Sequence, residues 1–255
     1  MTGHRAATAV VLAGALVAGL AGCTTGRAAA PQDSWQIQLT GAPDLGVDAL
    51  VYDLDPYTTA AGTVDRLHRA GRRAICHLAV GVSEAGRPDA GRFPPEVLGA
   101  PTADGRGAWL DVRRLDVLTP ILADRLRLCR DKGFDAVDAD DVDAYRQPTG
   151  FPLTQADQLA FDRRVLALAR DEGLGAGLRV PAADAAALAG ELDFAVNVGC
   201  PTSDGGCAGL APLVVAGKPV YVAVLGDPAA CADARLPGYR LIVKRPELDA
   251  WRQTC

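Results

Sequence analysis

Gly133-Phe-Asp-Ala-Val-Asp-Ala-Asp-Asp-Val-Asp-Ala-Tyr145 runs from a short apolar stretch into four carboxylates, Asp138, Asp140, Asp141 and Asp143. Phe134 to Val137 reads as a buried strand. Like charges this close repel one another, so an ordinary aspartate run spreads into solvent as a loop. Here the acids directly follow a core strand and stand at its carboxyl end, where α/β folds assemble their sites. That position makes the stretch a candidate site rather than a solvated turn.

Outward from it, strands and helices alternate. Ser34-Trp-Gln-Ile-Gln-Leu39, Val47 to Leu54, Arg73-Ala-Ile-Cys-His-Leu-Ala-Val80 and Ala108-Trp-Leu-Asp-Val112 read as strands before it. Ala176 to Val180, Asp193-Phe-Ala-Val-Asn-Val198, Pro219 to Leu225 and Arg240 to Val243 read as strands after it. Helical spacing runs over Thr59–Ala70, with Gly71 as its stop, and over Leu115–Lys132. Thr154-Gln-Ala-Asp157 opens a further long helix as a capping box with Asp in place of Glu. Shorter helices are expected at Ala182–Glu191, Ala208–Ala216 and Pro246–Arg252. Such alternation argues a parallel α/β fold, and no strand is followed by a glycine-rich phosphate loop. The expectation is one eightfold (β/α)8 barrel over residues 34–255, of the TIM type. Nine strand-like segments compete for eight places, and the Trp35 and Val47 segments are the expected source of the surplus.

Residues 1–22 read as an export signal: His4 and Arg5 precede an apolar run from Ala6 to Ala21. Its end, Leu20-Ala21-Gly22-Cys23, resembles a bacterial lipobox, which implies cleavage before Cys23 and a lipid on its sulfur. Residues 23–33 then form a tether, holding the protein on the outer face of the cytoplasmic membrane. Losing Arg5 with the leader takes the formal charge from −5 to −6. An acidic chain does not suit nucleic acid, whose phosphates call for basic patches; a neutral or cationic ligand is expected, bound by a monomer. Cys200 and Cys207 bracket a tight loop and are the best local pair for a disulfide. Cys231 and Cys255 could clamp the chain end, and Cys76 with Cys129 are core thiols or a third bridge. With His68 and His77 the only histidines after the leader and no Cys-x-x-Cys, neither zinc nor any cofactor is expected.

In a barrel the carboxyl ends of all strands face one mouth. That gathers Asp53, Asp55, Glu84, Asp111, Arg113, the aspartate cluster, Arg179, Asn197 and Lys244. Paired carboxylates are what cleavage of a glycosidic bond needs: one protonates the leaving oxygen and the other attacks the sugar or activates water. Crowding raises the proton affinity of at least one member. A calcium loop counted from Asp138 fails at its fifth place, which is Val142. Gly81-Val-Ser83-Glu-Ala85 lacks the last glycine of a nucleophile elbow, and neither His68 nor His77 is an evident base for Ser83.

The ordered motifs resemble glycoside hydrolase family 114. They include Trp35-Gln-Ile-Gln-Leu39, Val51-Tyr-Asp-Leu-Asp55, Ile75-Cys76, Gly81-x-x-Glu84 and Arg87-Pro-Asp89. Trp109-Leu-Asp-Val-Arg113, Gly133-Phe-Asp-Ala-Val137, Gly150-Phe-Pro-Leu-Thr154, Asp157-Gln-Leu159, Ala216-Gly-Lys-Pro-Val220 and Leu248-Asp-Ala-Trp251 continue the series. The resemblance implies a barrel acting as an endo-α-1,4-polygalactosaminidase on a partly cationic amino-sugar polymer. It implies Asp140 as the catalytic aspartate, in Asp140-Asp-Val-Asp-Ala-Tyr145 where the family reads Asp-Asn-Val-Asp-Gly-Tyr. The family's Gly-Leu-Lys-Asn is Gly177-Leu-Arg-Val180 here, and its Glu-Tyr on the seventh strand is Val224-Leu225. Its Asn-Glu-Gln-Cys is Asn197-Val-Gly-Cys200, so the partner glutamate is Val198. Glu84, Asp111 and Asp55 are the candidate surrogate partners. Asp53, Asp55, Arg113, Asp138, Asp141, Asp143, Tyr145, Arg179 and Asn197 are candidate substrate contacts. Two readings follow: a hydrolase with an altered catalytic pair, or a carbohydrate-binding lipoprotein that no longer hydrolyses.

Overall fold

The computed structural model describes residues 1–3, 34–200, 207–226 and 238–255. The leader beyond residue 3, Cys23, the tether and Cys231 lie outside the described residues. In chain order the elements begin β1 (Trp35–Gln38), β2 (Val51–Leu54), α1 (Ala61–Arg69) and β3 (Arg73–Ala79). Three short strands follow, β4 (Val82–Glu84), β5 (Leu98–Pro101) and β6 (Gly107–Leu110), then α2 (Leu115–Asp131) and β7 (Ala136–Asp140). The chain continues through α3 (Gln155–Asp171), β8 (Gly175–Leu178), α4 (Ala185–Leu188), β9 (Phe194–Val198) and α5 (Ala211–Val215). It ends in β10 (Val220–Leu225), β11 (Tyr239–Lys244) and β12 (Gln253–Thr254).

Eight strands are mutually parallel in the order β1-β2-β3-β7-β8-β9-β10-β11, while β12 joins β11 antiparallel. The sheet curls until β1 returns to β11, giving the expected barrel. The surplus strand is not where the sequence suggests. Trp35 pairs with Val51, so both early segments are barrel staves. The extra one is β6, which pairs antiparallel with β4 and β5 in a separate sheet between β3 and α2. Apolar alternation is the same for parallel and antiparallel strands, so it could not sort them.

Between β1 and β11 the seam is stitched by side chains. The Trp35 indole N–H donates to the Arg240 carbonyl at 2.8 Å, and Lys244 Nζ donates to Gln36 Oε1 at 3.1 Å. Pro246–Arg252, expected as a helix, instead makes a turn and then follows this seam as irregular chain. Its carbonyls accept from β1, with Leu39 N–H bonded to Leu248 O and Gln36 Nε2 to Ala250 O. Leu248 sits at φ 48°, a left-handed conformation that breaks a helix. The Lys244 mouth position is thereby used up in the seam, buried, with its pKa lowered to about 8 by burial.

One hydrophobic cluster fills the barrel, with Trp35, Ile37, Ile75, Phe194, Val196, Ala223 and Ile242 at its centre. The other lies between the strands and the helices, including Val137, Ala139, Phe161 and Leu178. Gly177 makes room inside: a Cβ there would stand 2.3 Å from the Phe194 ring. Thr154 caps α3 as expected, its hydroxyl accepting from Asp157 N–H while Asp157 accepts from Thr154 N–H. Cys76 on β3 is bonded to Cys129 on α2, Cys200 is bonded to Cys207, and Cys255 is disulfide-bonded.

The inner face of α3 carries an anomaly, Asp162, fully buried and held by Gln158 Nε2 at 2.8 Å. Burial raises its pKa to about 8, with Asp184 and Asp143 adding to the shift. The folded state therefore binds this proton more tightly than the unfolded chain, whose carboxyl titrates near ~4. Stability falls as pH climbs from that value to about 8. Asp162→Asn keeps the shape and has no proton to lose. It is expected to melt at the wild-type temperature at pH 5 and at least ~3 °C higher at pH 9. Identical melting at both pH values would mean the burial cost is not being borne.

Candidate active site

On β7 the period of two sends Val137 and Ala139 outward into the helix layer and Asp138 and Asp140 inward. Asp138 lies in the register of His77 on β3 and Gly177 on β8, and Asp140 in that of Ala79. Asp138 is completely buried, so its charge needs partners. Arg179 Nη2 donates to Asp138 Oδ2 at 3.2 Å, and His77 Nδ1 lies 3.3 Å from the same oxygen. Burial alone would raise the Asp138 pKa, but the Arg179 charge and the His77 bond outweigh it and hold the group below its ordinary value. Asp53, equally buried on β2, goes the other way. Burial and then the Asp138 charge push it well above the usual carboxylate range, so it keeps its proton and can donate to Asp138.

Above this floor sits Asp140. Arg179 Nη1 reaches its Oδ2 at 2.7 Å, the Asp141 N–H donates to its Oδ1 at 2.8 Å, and His77 Nε2 stands 3.8 Å away. Asp141 itself adopts φ 61°, a left-handed conformation that Asn and Asp tolerate best among residues with a side chain. Its carbonyl presses on Gly81, where a Cβ would come within 1.8 Å of the Asp141 oxygen. Gly81→Ala must therefore displace the acidic turn. A stability loss of ~1–3 kcal/mol in chemical denaturation is expected, as for overpacking elsewhere.

Two cavities meet at Asp140. One, of about 600 Å³, is lined by Asp55, His77, Glu84, Arg87, Trp109 and others. The other, of about 530 Å³, is lined by Asp143, Gln147, Pro181, Asn197 and Val198 among others. Asp140, Asp141 and Arg179 line both. Arg87 bridges Glu84 at 2.9 Å and Asp55 at 3.0 Å, and stacks over the Tyr57 ring. Asp143 accepts from Gln147 Nε2 at 2.6 Å, and burial raises its pKa.

Not every candidate residue reaches this place. Asp111 and Arg113 form a forked pair with bonds of 2.8 and 2.7 Å and line neither cavity. That bond pulls the Asp111 pKa down, so a surrogate acid is not found there. The reason is the strand correction: β6 is no barrel stave, so its end does not face the mouth. Tyr145 turns away to donate to Asp184 Oδ1 at 3.3 Å. Asp53 and Asp138 form the buried floor and line neither cavity. Conversely His77, Arg87 and Trp109 line the cleft although the sequence did not mark them as site residues. His77 follows Ile75 by two residues, and Ile75 belongs to the barrel interior; that alternation was the available signal.

Asp53, His77 and Asp138 bring ligand atoms within 4.8 Å of one another, as a metal triad would. They do not fit a metal here. The Arg179 guanidinium already stands 3.2 Å from both His77 Nδ1 and Asp138 Oδ2, a cation where the metal would sit.

A glycoside hydrolase family GH114 model matches residues 20–255. Among solved structures, Aspergillus fumigatus Ega3 in complex with galactosamine is 31% identical with a TM-score of 0.81. The match covers 88% of this chain and 95% of that one. The glycoside hydrolase domain of Pseudomonas aeruginosa PelA shares the fold at 17% identity and TM-score 0.69, over 87% and 98% of the two chains. No curated protein matches the chain by sequence. A parallel barrel with an aspartate at the carboxyl end of β7, matched over nearly its whole length, places the chain in glycoside hydrolase family GH114.

Proposed function

We propose that this protein is an exported, lipid-anchored glycosidase that cleaves α-linked amino-sugar polysaccharide within the chain, with Asp140 as its principal carboxylate. The observation that carries this reading is the position of Asp140 where two cavities meet. A polymer can occupy both sides of a bond held over it, as internal cleavage requires. Arg179 and the Asp141 amide hold the Asp140 carboxyl in place from two sides, and a carboxylate so positioned is what attacks a sugar or activates water. The larger cavity presents six carboxylates, Asp55, Glu84, Asp104, Asp140, Asp141 and Glu247, against three arginines. That excess favours a cationic sugar, consistent with galactosamine bound to Ega3. The anchor rests on Leu20-Ala21-Gly22-Cys23.

Val198, lining the second cavity, is the observation on the other side. A valine moves no proton, and it favours the reading of a carbohydrate-binding lipoprotein. The two separate on incubation of the purified protein with de-acetylated α-linked galactosamine polymer. Growth of reducing ends and shortening of the polymer are expected. Retention of the protein on the polymer with no new ends would select the binding function instead.

A further inference from the structure

We infer that Asp141 is the catalytic acid of this cleft, in place of a carboxylate at Val198; the inference rests on the hydrolase reading above. A glycosidase pair needs one carboxylate ionised and one protonated, both open to the same bond. Asp140 and Asp141 line both cavities, and each faces a different electrostatic environment. Asp140 meets the Arg179 guanidinium at 2.7 Å. Asp141 faces Asp140 from β7, Glu84 from β4 and Asp143 from the following turn, with Arg179 beyond β8 and Arg106 before β6 opposing them. Burial first, and then the Asp140 charge, push its pKa well above the ordinary carboxylate range.

The backbone holds the side chain in this place. The left-handed turn at φ 61° is fixed by the Asp141 N–H bond to Asp140 and by the contact of its carbonyl with Gly81. Four of the other acids are engaged elsewhere. Glu84 and Asp55 share Arg87, Asp143 accepts from Gln147, and Asp111 is outside the cleft with Arg113. In the step, the Asp141 O–H bond breaks as its proton passes to the glycosidic oxygen and the bond from that oxygen to the anomeric carbon cleaves. The leaving chain departs with a hydroxyl and Asp141 is left as a carboxylate. Water supplies the oxygen that ends on the anomeric carbon, and its proton goes to a carboxylate of the pair.

An acid is dispensable when the leaving group needs no proton, and this separates the role from a structural one. Wild type and Asp141→Asn are compared on de-acetylated galactosamine polymer and on a dinitrophenyl α-glycoside of a galactosamine oligomer. Asn tolerates the left-handed turn, and melting temperatures verify that the variant is folded. The expected result is a ~100–10,000-fold loss on the polymer with less than ~10-fold loss on the aryl glycoside, and a missing basic limb in the pH profile. Equal losses on both substrates with an unchanged pH profile overturn the assignment, as does full polymer activity. An active wild type with an indifferent Asp141→Asn removes only this assignment. A wild type that cleaves neither substrate removes the hydrolase reading and this one with it.

Discussion

Asp140→Asn is expected to lower polymer cleavage by ~100–10,000-fold while leaving the protein folded. The substitution keeps the shape of the side chain and removes only its charge. Arg179 retains Asp138 as a partner at 3.2 Å, so no buried cation is abandoned and the melting temperature should move little. Polymer binding should survive, since five further carboxylates line the larger cavity. The measurement is release of reducing ends alongside retention on immobilised polymer. Activity within a few-fold of wild type would remove Asp140 from the mechanism; lost binding with lost activity would make it a docking group.

Arg179→Met should have the largest effect on stability. Arg179 serves two carboxylates, one of them fully buried, and its loss leaves the Asp138 charge without its guanidinium partner. Breaking a buried pair by removing one partner costs ~3–5 kcal/mol, which at ~2–4 °C per kcal/mol for a domain of this size is a fall of ~6–20 °C. The sign of the pH dependence follows from Asp138. Its folded pKa is held below the unfolded value, so the stability it contributes is present at neutral pH and lost as pH falls through the folded value. The gap between wild type and variant should therefore be widest near neutrality and close under acid conditions. A gap independent of pH would assign the loss to packing around the methionine rather than to the stranded charge.

The barrel was legible because its staves are dense apolar runs separated by helix-period segments, and the carboxyl-end acids of β7 followed from that frame. Asp140 and Arg179 meet because their strands are neighbours, which chain order already implies. The excursion from β4 to β6 was not legible, since antiparallel and parallel strands share one alternation; Asp111 and Arg113 were misplaced with it. The split between Asp53 and Asp138 was invisible as well. Both are aspartates at the end of apolar runs, and it is the placing of Arg179 and His77 beside Asp138 that sets them apart. Asp141 illustrates the same limit: its role depends on a backbone angle that no composition or spacing encodes.

The stitched seam has a consequence for how this protein stays apart from its own copies. A barrel closed by backbone bonds has no strand edge, whereas the eight parallel strands here end at β1 and β11, which no ladder joins among the described residues. Unpaired edges recruit strands from other molecules. The last residues of the chain cover both: Gln253 and Thr254 pair with Val243 and Ile242, Leu248 accepts from Leu39, and the Arg252 guanidinium donates to the Trp35 carbonyl. The C-terminal segment thus occupies the places at which another chain's strand would add to β1 or β11, and a disulfide at Cys255 ties it down.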